Sequence, residues 1–120
     1  MSKIVVCNAA NTSEFDKIGG KSCIKYWDEH TPNKTESIRF CRATYKYGTE
    51  EDPIIGGHVL AILGGKPRVF ITPILKSYNT ANDPKGFSVS TDDLVPVPAA
   101  DEQAILNMKG NVDRLKNFMW

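Results

Sequence analysis

At 120 residues the chain has the size of one domain, 1–120, long enough to bury a core without disulfide or metal staples. Its 41% hydrophobic and 24% charged residues are globular proportions that exclude a disordered chain, and no run nears the roughly 18 apolar residues of a membrane span. Fifteen Lys/Arg against fourteen Asp/Glu leave +1, too little to mark nucleic acid as a partner by charge alone.

Met1 to Cys7 holds a short apolar run, Ile4-Val5-Val6, without a cleavage-site pattern, so a signal peptide is not expected and a first strand over 3–7 is. Cys7, Cys23 and Cys41 are odd in number and lack a Cys-x-x-Cys pair, which points to reduced thiols and a cytoplasmic protein. After a polar stretch and Gly19-Gly20, Ser22 is placed to cap a short helix over 23–30, which Pro32 ends. His30 then sits at the helix C-terminus, where the macrodipole favours it. Residues 38–47 alternate as a strand would, without a clean apolar face.

The centre is better defined. Gly56 to Leu63 forms an apolar run, Gly64-Gly65 suits a two-residue hairpin turn, and residues 66–72 return as the second strand. Thr72-Pro73 has the chemistry of an N-cap followed by proline at the first helical position, predicting a helix over 74–79. Residues 87–90 alternate as a short strand, and Leu94 to Pro98 is extended and unsuited to a central strand because its prolines donate no ladder bonds. Ile105, Met108, Val112, Leu115 and Met119 recur at three- and four-residue spacing, predicting one long amphipathic helix at the C-terminal end. The fold class expected is α+β in a single small domain.

Gly57-His58-Val59, the Gly-Gly turn and Val69-Phe70-Ile71-Thr72-Pro73-Ile74-Leu75-Lys76-Ser77-Tyr78-Asn79 together resemble small bacterial or phage proteins related to HNH/treble-clef zinc domains. The resemblance centres on residues 57–79 and extends loosely upstream to Cys23, His30 and Cys41. It implies a β-hairpin followed by a short helix. Leu75 and Tyr78 stand where the family pattern has a metal-ligating Cys and His, and no paired cysteine follows Cys41. A structural zinc needs four nitrogen or sulfur ligands, so no metal and no cofactor are expected. Apolar packing by Val69, Ile71, Ile74 and Leu75 would take over the metal's stabilising role.

Three functional classes follow. In the first, the chain is a non-catalytic interaction protein that binds or inhibits another protein. Tyr26, Trp27, Arg39, Arg42, Tyr45, Tyr47 and Tyr78 are of the types enriched at interfaces and are its candidate binding residues. In the second, it is a residual metal-dependent nuclease with His58 as general base and Asn79 as orienter, as the resemblance implies. In the third, it binds nucleic acid through Lys21, Lys25, Arg39, Arg42 and Lys46, drawn from residues 1–48, where eight basic side chains face five acidic ones. No Cys/His or phosphate-loop signature marks other chemistry.

Overall fold

The computed structural model describes residues 2–32, 40–81 and 83–116. Its Cα radius of gyration is 13.0 Å, close to the roughly 13 Å of a compact domain of 100 residues. The fold is α+β. Among the described residues, the main sheet is antiparallel throughout, its strands lying in the order Phe87–Ser90, Lys3–Asn8, Ile54–Leu63, Lys66–Leu75 and Val95–Pro96.

The first strand, β1 (Lys3–Asn8), leads through a polar loop and a 3-10 turn (Ser13–Phe15) to a two-residue ribbon, β2 (Lys17–Ile18) and β3 (Lys21–Ser22). Helix α1 (Cys23–His30) follows directly. Ser22 caps it, its hydroxyl accepting from the Lys25 N–H at 3.3 Å. His30 closes its last turn, Nδ1 lying 2.8 Å from the Tyr26 carbonyl.

The long hairpin β4 (Ile54–Leu63) and β5 (Lys66–Leu75) is the backbone of the fold, paired from Ile54↔Leu75 to Leu63↔Lys66. Gly64 and Gly65 turn it at φ of 59° and 78°, values that residues bearing a Cβ rarely adopt. Strand β5 runs three residues further than the cap signal at Thr72-Pro73 predicts. Thr72 does not cap a helix; its hydroxyl donates to the Asp93 carbonyl at 2.8 Å, and Ile74 and Leu75 remain in the sheet, buried. Pro73 fits there because its carbonyl points away from β4 and accepts from the Arg42 N–H at 2.9 Å. Its missing N–H lies on that same outer side, so no β4–β5 bond is lost. Pairing and burial thus outweigh a local capping preference. The helix starts later, as α2 (Lys76–Ala81), with Asp52 accepting from both the Ser77 N–H and its hydroxyl.

Strand β6 (Phe87–Ser90) lies beside β1, and β7 (Val95–Pro96) pairs with β5 at Phe70 and Ile71. The single C-terminal helix expected from periodicity is instead two, α3 (Ala99–Leu106) and α4 (Lys109–Arg114), broken where Met108 turns extended at ψ 133°. Asn111 accounts for the break. It is wholly buried, its Oδ1 accepting from the Ala10 N–H at 2.6 Å and its Nδ2 donating to the carbonyls of Ala10 and Ile105. These bonds tie α4 to residue 10 and to the end of α3 at once. Met119 lies outside the described residues.

Strand alternation sorts the core. Cys7, Leu60, Val69 and Ile71 face one side, covered by Trp27 of α1, Ile105 of α3 and Leu115. Val6, Val59, Ala61, Phe70 and Val89 face the other, with Leu94. Cys41, Ile74 and Leu75 form a third cluster at the far end of the hairpin. Glu102 fastens α3 to β5 by accepting from Arg68 Nε and from the Val69 N–H. No helix of the described residues is long and apolar enough to cross a membrane.

Candidate functional site

Two places gather the candidate residues: a polar cleft floored by His58, and an aromatic loop around Tyr45. The cleft forms because β4 lets α1 approach closely at Gly56. A Cβ there would lie 2.6 Å from the Cys23 carbonyl carbon and from the Ile24 nitrogen, so only glycine fits. His58, two residues on, points to the same side of the strand and lies beside the start of α1. The cleft, of about 430 Å3, is lined by His58, by Ser22, Cys23 and Ile24 of that helix start, by the 9–16 loop, and by Asn79 and Thr80 of α2. Asn11 shapes the loop at φ 57°, a left-handed conformation that asparagine tolerates.

His58 is 4% exposed, and its Nε2 is buried without a hydrogen-bond partner. Burial pulls its pKa down from 6.5 to about 4, against a smaller opposing pull from Asp101, so the ring is neutral at physiological pH. Burial likewise pushes the Cys23 thiol up to about 11, with Asp16 and Asp101 adding to the shift, and its Sγ donates to the Phe15 carbonyl. A thiol so disposed is a poor nucleophile. His58 and Asn79, which the resemblance sets as base and orienter, both line this cleft. Among the described residues no group of three His, Cys, Asp or Glu side chains converges as metal ligands would.

The second place is the loop over 40–47. It was expected to be strand, and residues 38 and 39, Arg39 included, lie outside the described residues. From Phe40 onward it is a tight loop closed by a Phe40↔Tyr47 bridge, with Cys41 N–H donating to the Lys46 carbonyl and Tyr45 N–H to the Cys41 carbonyl, each at 2.8 Å. The chain turns at 42–44 and leaves the turn with Tyr45 at φ 62°, an uncommon conformation for a bulky residue. Its ring stacks on Phe40, centroids 6.1 Å apart. Tyr45 and Tyr47 are 62% and 72% exposed.

The other candidates divide by burial. Trp27, nominated for an interface, is in the core at 0% exposure, its Nε1 donating to the Asp93 carbonyl at 2.9 Å. Arg42 is also no surface cation. Its Nε donates to Asp93 Oδ2 at 3.0 Å, its Nη1 to the Phe40 carbonyl at 2.7 Å, and its guanidinium lies 3.9 Å over the Phe40 ring. A desolvated guanidinium needs such partners, which explains why it is buried rather than presented. Tyr26 is half-buried and stacked on His30, and Tyr78 is half-buried, edge-on to Phe87, with desolvation raising its pKa. The basic set suggested for nucleic acid loses Arg42 to the core, and Lys21 is paired with Glu29.

No family model, curated protein or solved structure matches this chain. Asp93, whose carbonyl accepts from Trp27 and Thr72 and whose carboxylate accepts from Arg42, and Asn111, whose side-chain amide holds residue 10, carried no sequence signal: each belongs to a type usually found in solvent. Asp16 and Asn11 of the cleft were similarly read only as loop.

Proposed function

We propose that the protein is a non-catalytic interaction module that binds another protein through the loop over 40–47, on a metal-free core of HNH/treble-clef type. The observation that carries this is Tyr45, an aromatic residue held at φ 62° with 62% of its surface in solvent. Backbone strain of roughly 1–3 kcal/mol persists where surrounding structure enforces it, and such sites cluster at functional surfaces. Here the Arg42–Asp93 pair and the Phe40 stack supply the enforcement. Tyr47 lies beside it, and exposed tyrosines on a braced loop are the anchors that carry most interface energy. The hairpin β4–β5 leading into α2, with Leu75 and Tyr78 at the metal-ligand positions of the resembled pattern, supports a core that needs no ion.

The test begins with capture of the partner from the native host by the tagged chain. The purified partner is then titrated against wild type and a Tyr45→Ala/Tyr47→Ala double variant. Loss of about 2 kcal/mol or more, over tenfold in affinity, is expected. An unchanged affinity removes the loop from the interface. A nuclease role keeps His58 and Asn79 on one cleft; plasmid cleavage with magnesium or manganese, abolished by His58→Ala, would establish it instead.

A further inference from the structure

The cleft beneath the start of α1 has a chemistry that restricts what it can hold. His58 brings a ring nitrogen buried without a partner, a state that costs about 1–3 kcal/mol and that native interiors seldom keep. One wall is the N-terminus of α1, where the helix dipole is positive and the Cys23 and Ile24 N–H groups lack intrahelical acceptors, that of Lys25 being held by Ser22. Asp16 also lines the cleft, and Asp101 acts electrostatically on both His58 and Cys23. Among the described residues that line it there is no Lys or Arg.

These features exclude ions of either sign for different reasons. An anion meets the Asp16 carboxylate with no lining cation to offset it. A cation meets the positive end of α1. An uncharged group with a carbonyl oxygen at one end and N–H at the other meets complementary partners at both. Asn79 adds an amide at the rim, and Ile24 and Ile55 supply apolar wall for the body of such a molecule. The volume of about 430 Å3 lies within the range of small-molecule sites, roughly 300–1,000 Å3.

We propose that the cleft between α1 and β4 binds a small uncharged carboxamide, its oxygen toward the N-terminus of α1, its NH2 toward Asp16, and His58 forming the floor. This site is separate from the tyrosine loop, so each proposal stands or falls alone.

Benzamide, benzoate and benzylammonium share a ring and differ in the polar group, which makes them the probes. Each is titrated into the full labelled chain while NMR follows the His58 ring and the Asn79 side-chain amide. Benzamide is expected to shift both saturably, with benzoate and benzylammonium at least about tenfold weaker, a difference of about 1.4 kcal/mol. His58→Gln tests the floor directly. Thr80→Trp, at an exposed rim position, plugs the cleft without touching the core and is expected to weaken benzamide at least about tenfold while the rest of the spectrum is unchanged. No saturable shift with benzamide, equal or tighter binding of benzoate, or undiminished binding by Thr80→Trp would overturn the assignment.

Discussion

Acidification from about pH 7.5 to about pH 4.5 is expected to cost the fold about 2.5 kcal/mol through His58 alone, at about 1.4 kcal/mol per pKa unit. The group is buried with its pKa lowered from 6.5 to about 4. Above 6.5 the ring is neutral folded and unfolded, and pH has no leverage. Between 6.5 and about 4 the unfolded chain takes up a proton that the folded chain refuses, so stability falls as pH falls; below about 4 both are protonated and the loss is complete. Urea unfolding of wild type and His58→Leu across this range separates the effect, because carboxylates titrating in the same window move both proteins together. The wild-type curve should drop by about 2.5 kcal/mol relative to the variant. Parallel pH profiles, or an NMR titration midpoint for His58 at or above about 6, would refute a desolvated neutral imidazole in this cleft.

Asn111→Ala removes three bonds to buried backbone, each worth about 1 kcal/mol net and more where a partner stays dry, so a loss of about 3–4 kcal/mol is expected. The urea midpoint should fall by about 2 M at unchanged m, and a loss under about 1 kcal/mol would show that the clamp is dispensable. Gly56→Ala should destabilise more than Gly57→Ala. The first Cβ meets the backbone of residues 23 and 24 at 2.6 Å, the second only the side-chain end of Ile74 at 2.1 Å, and thermal melts giving the reverse order would contradict the close approach of α1. Prolonged treatment with a chelator is expected to leave the melting temperature unchanged; elemental analysis finding one zinc per chain would defeat the metal-free core.

Much of the local structure was legible. The β-branched run of β1, the glycine turn at 64–65, the serine cap of α1 and the alternation of β6 are each specified by residues a few positions apart. His58 and Asn79, matched in the sequence only through a resemblance, line one cleft, and Tyr45 and Tyr47 are exposed. The exits from β5 and α3 were not legible. Thr72-Pro73 has sound capping chemistry, yet register with β4 and burial of Ile74 and Leu75 carry the strand through it. The apolar stripe from Ile105 onward continues through the position where α3 stops, because the residue that stops it is bonded to Ala10.

What the sequence determined by itself was therefore the type of most elements and their turns, since backbone preference and periodicity act between near neighbours. Tertiary structure alone decided which polar and aromatic groups face solvent. Trp27 and Tyr45 are both aromatic, yet one is enclosed by sheet, helix and the Asp93 carbonyl while the other is held outward by a loop pinned to the core. Arg42 and His58 were buried by contacts with segments distant in the chain, and desolvation of the imidazole follows from that enclosure rather than from its neighbours in sequence.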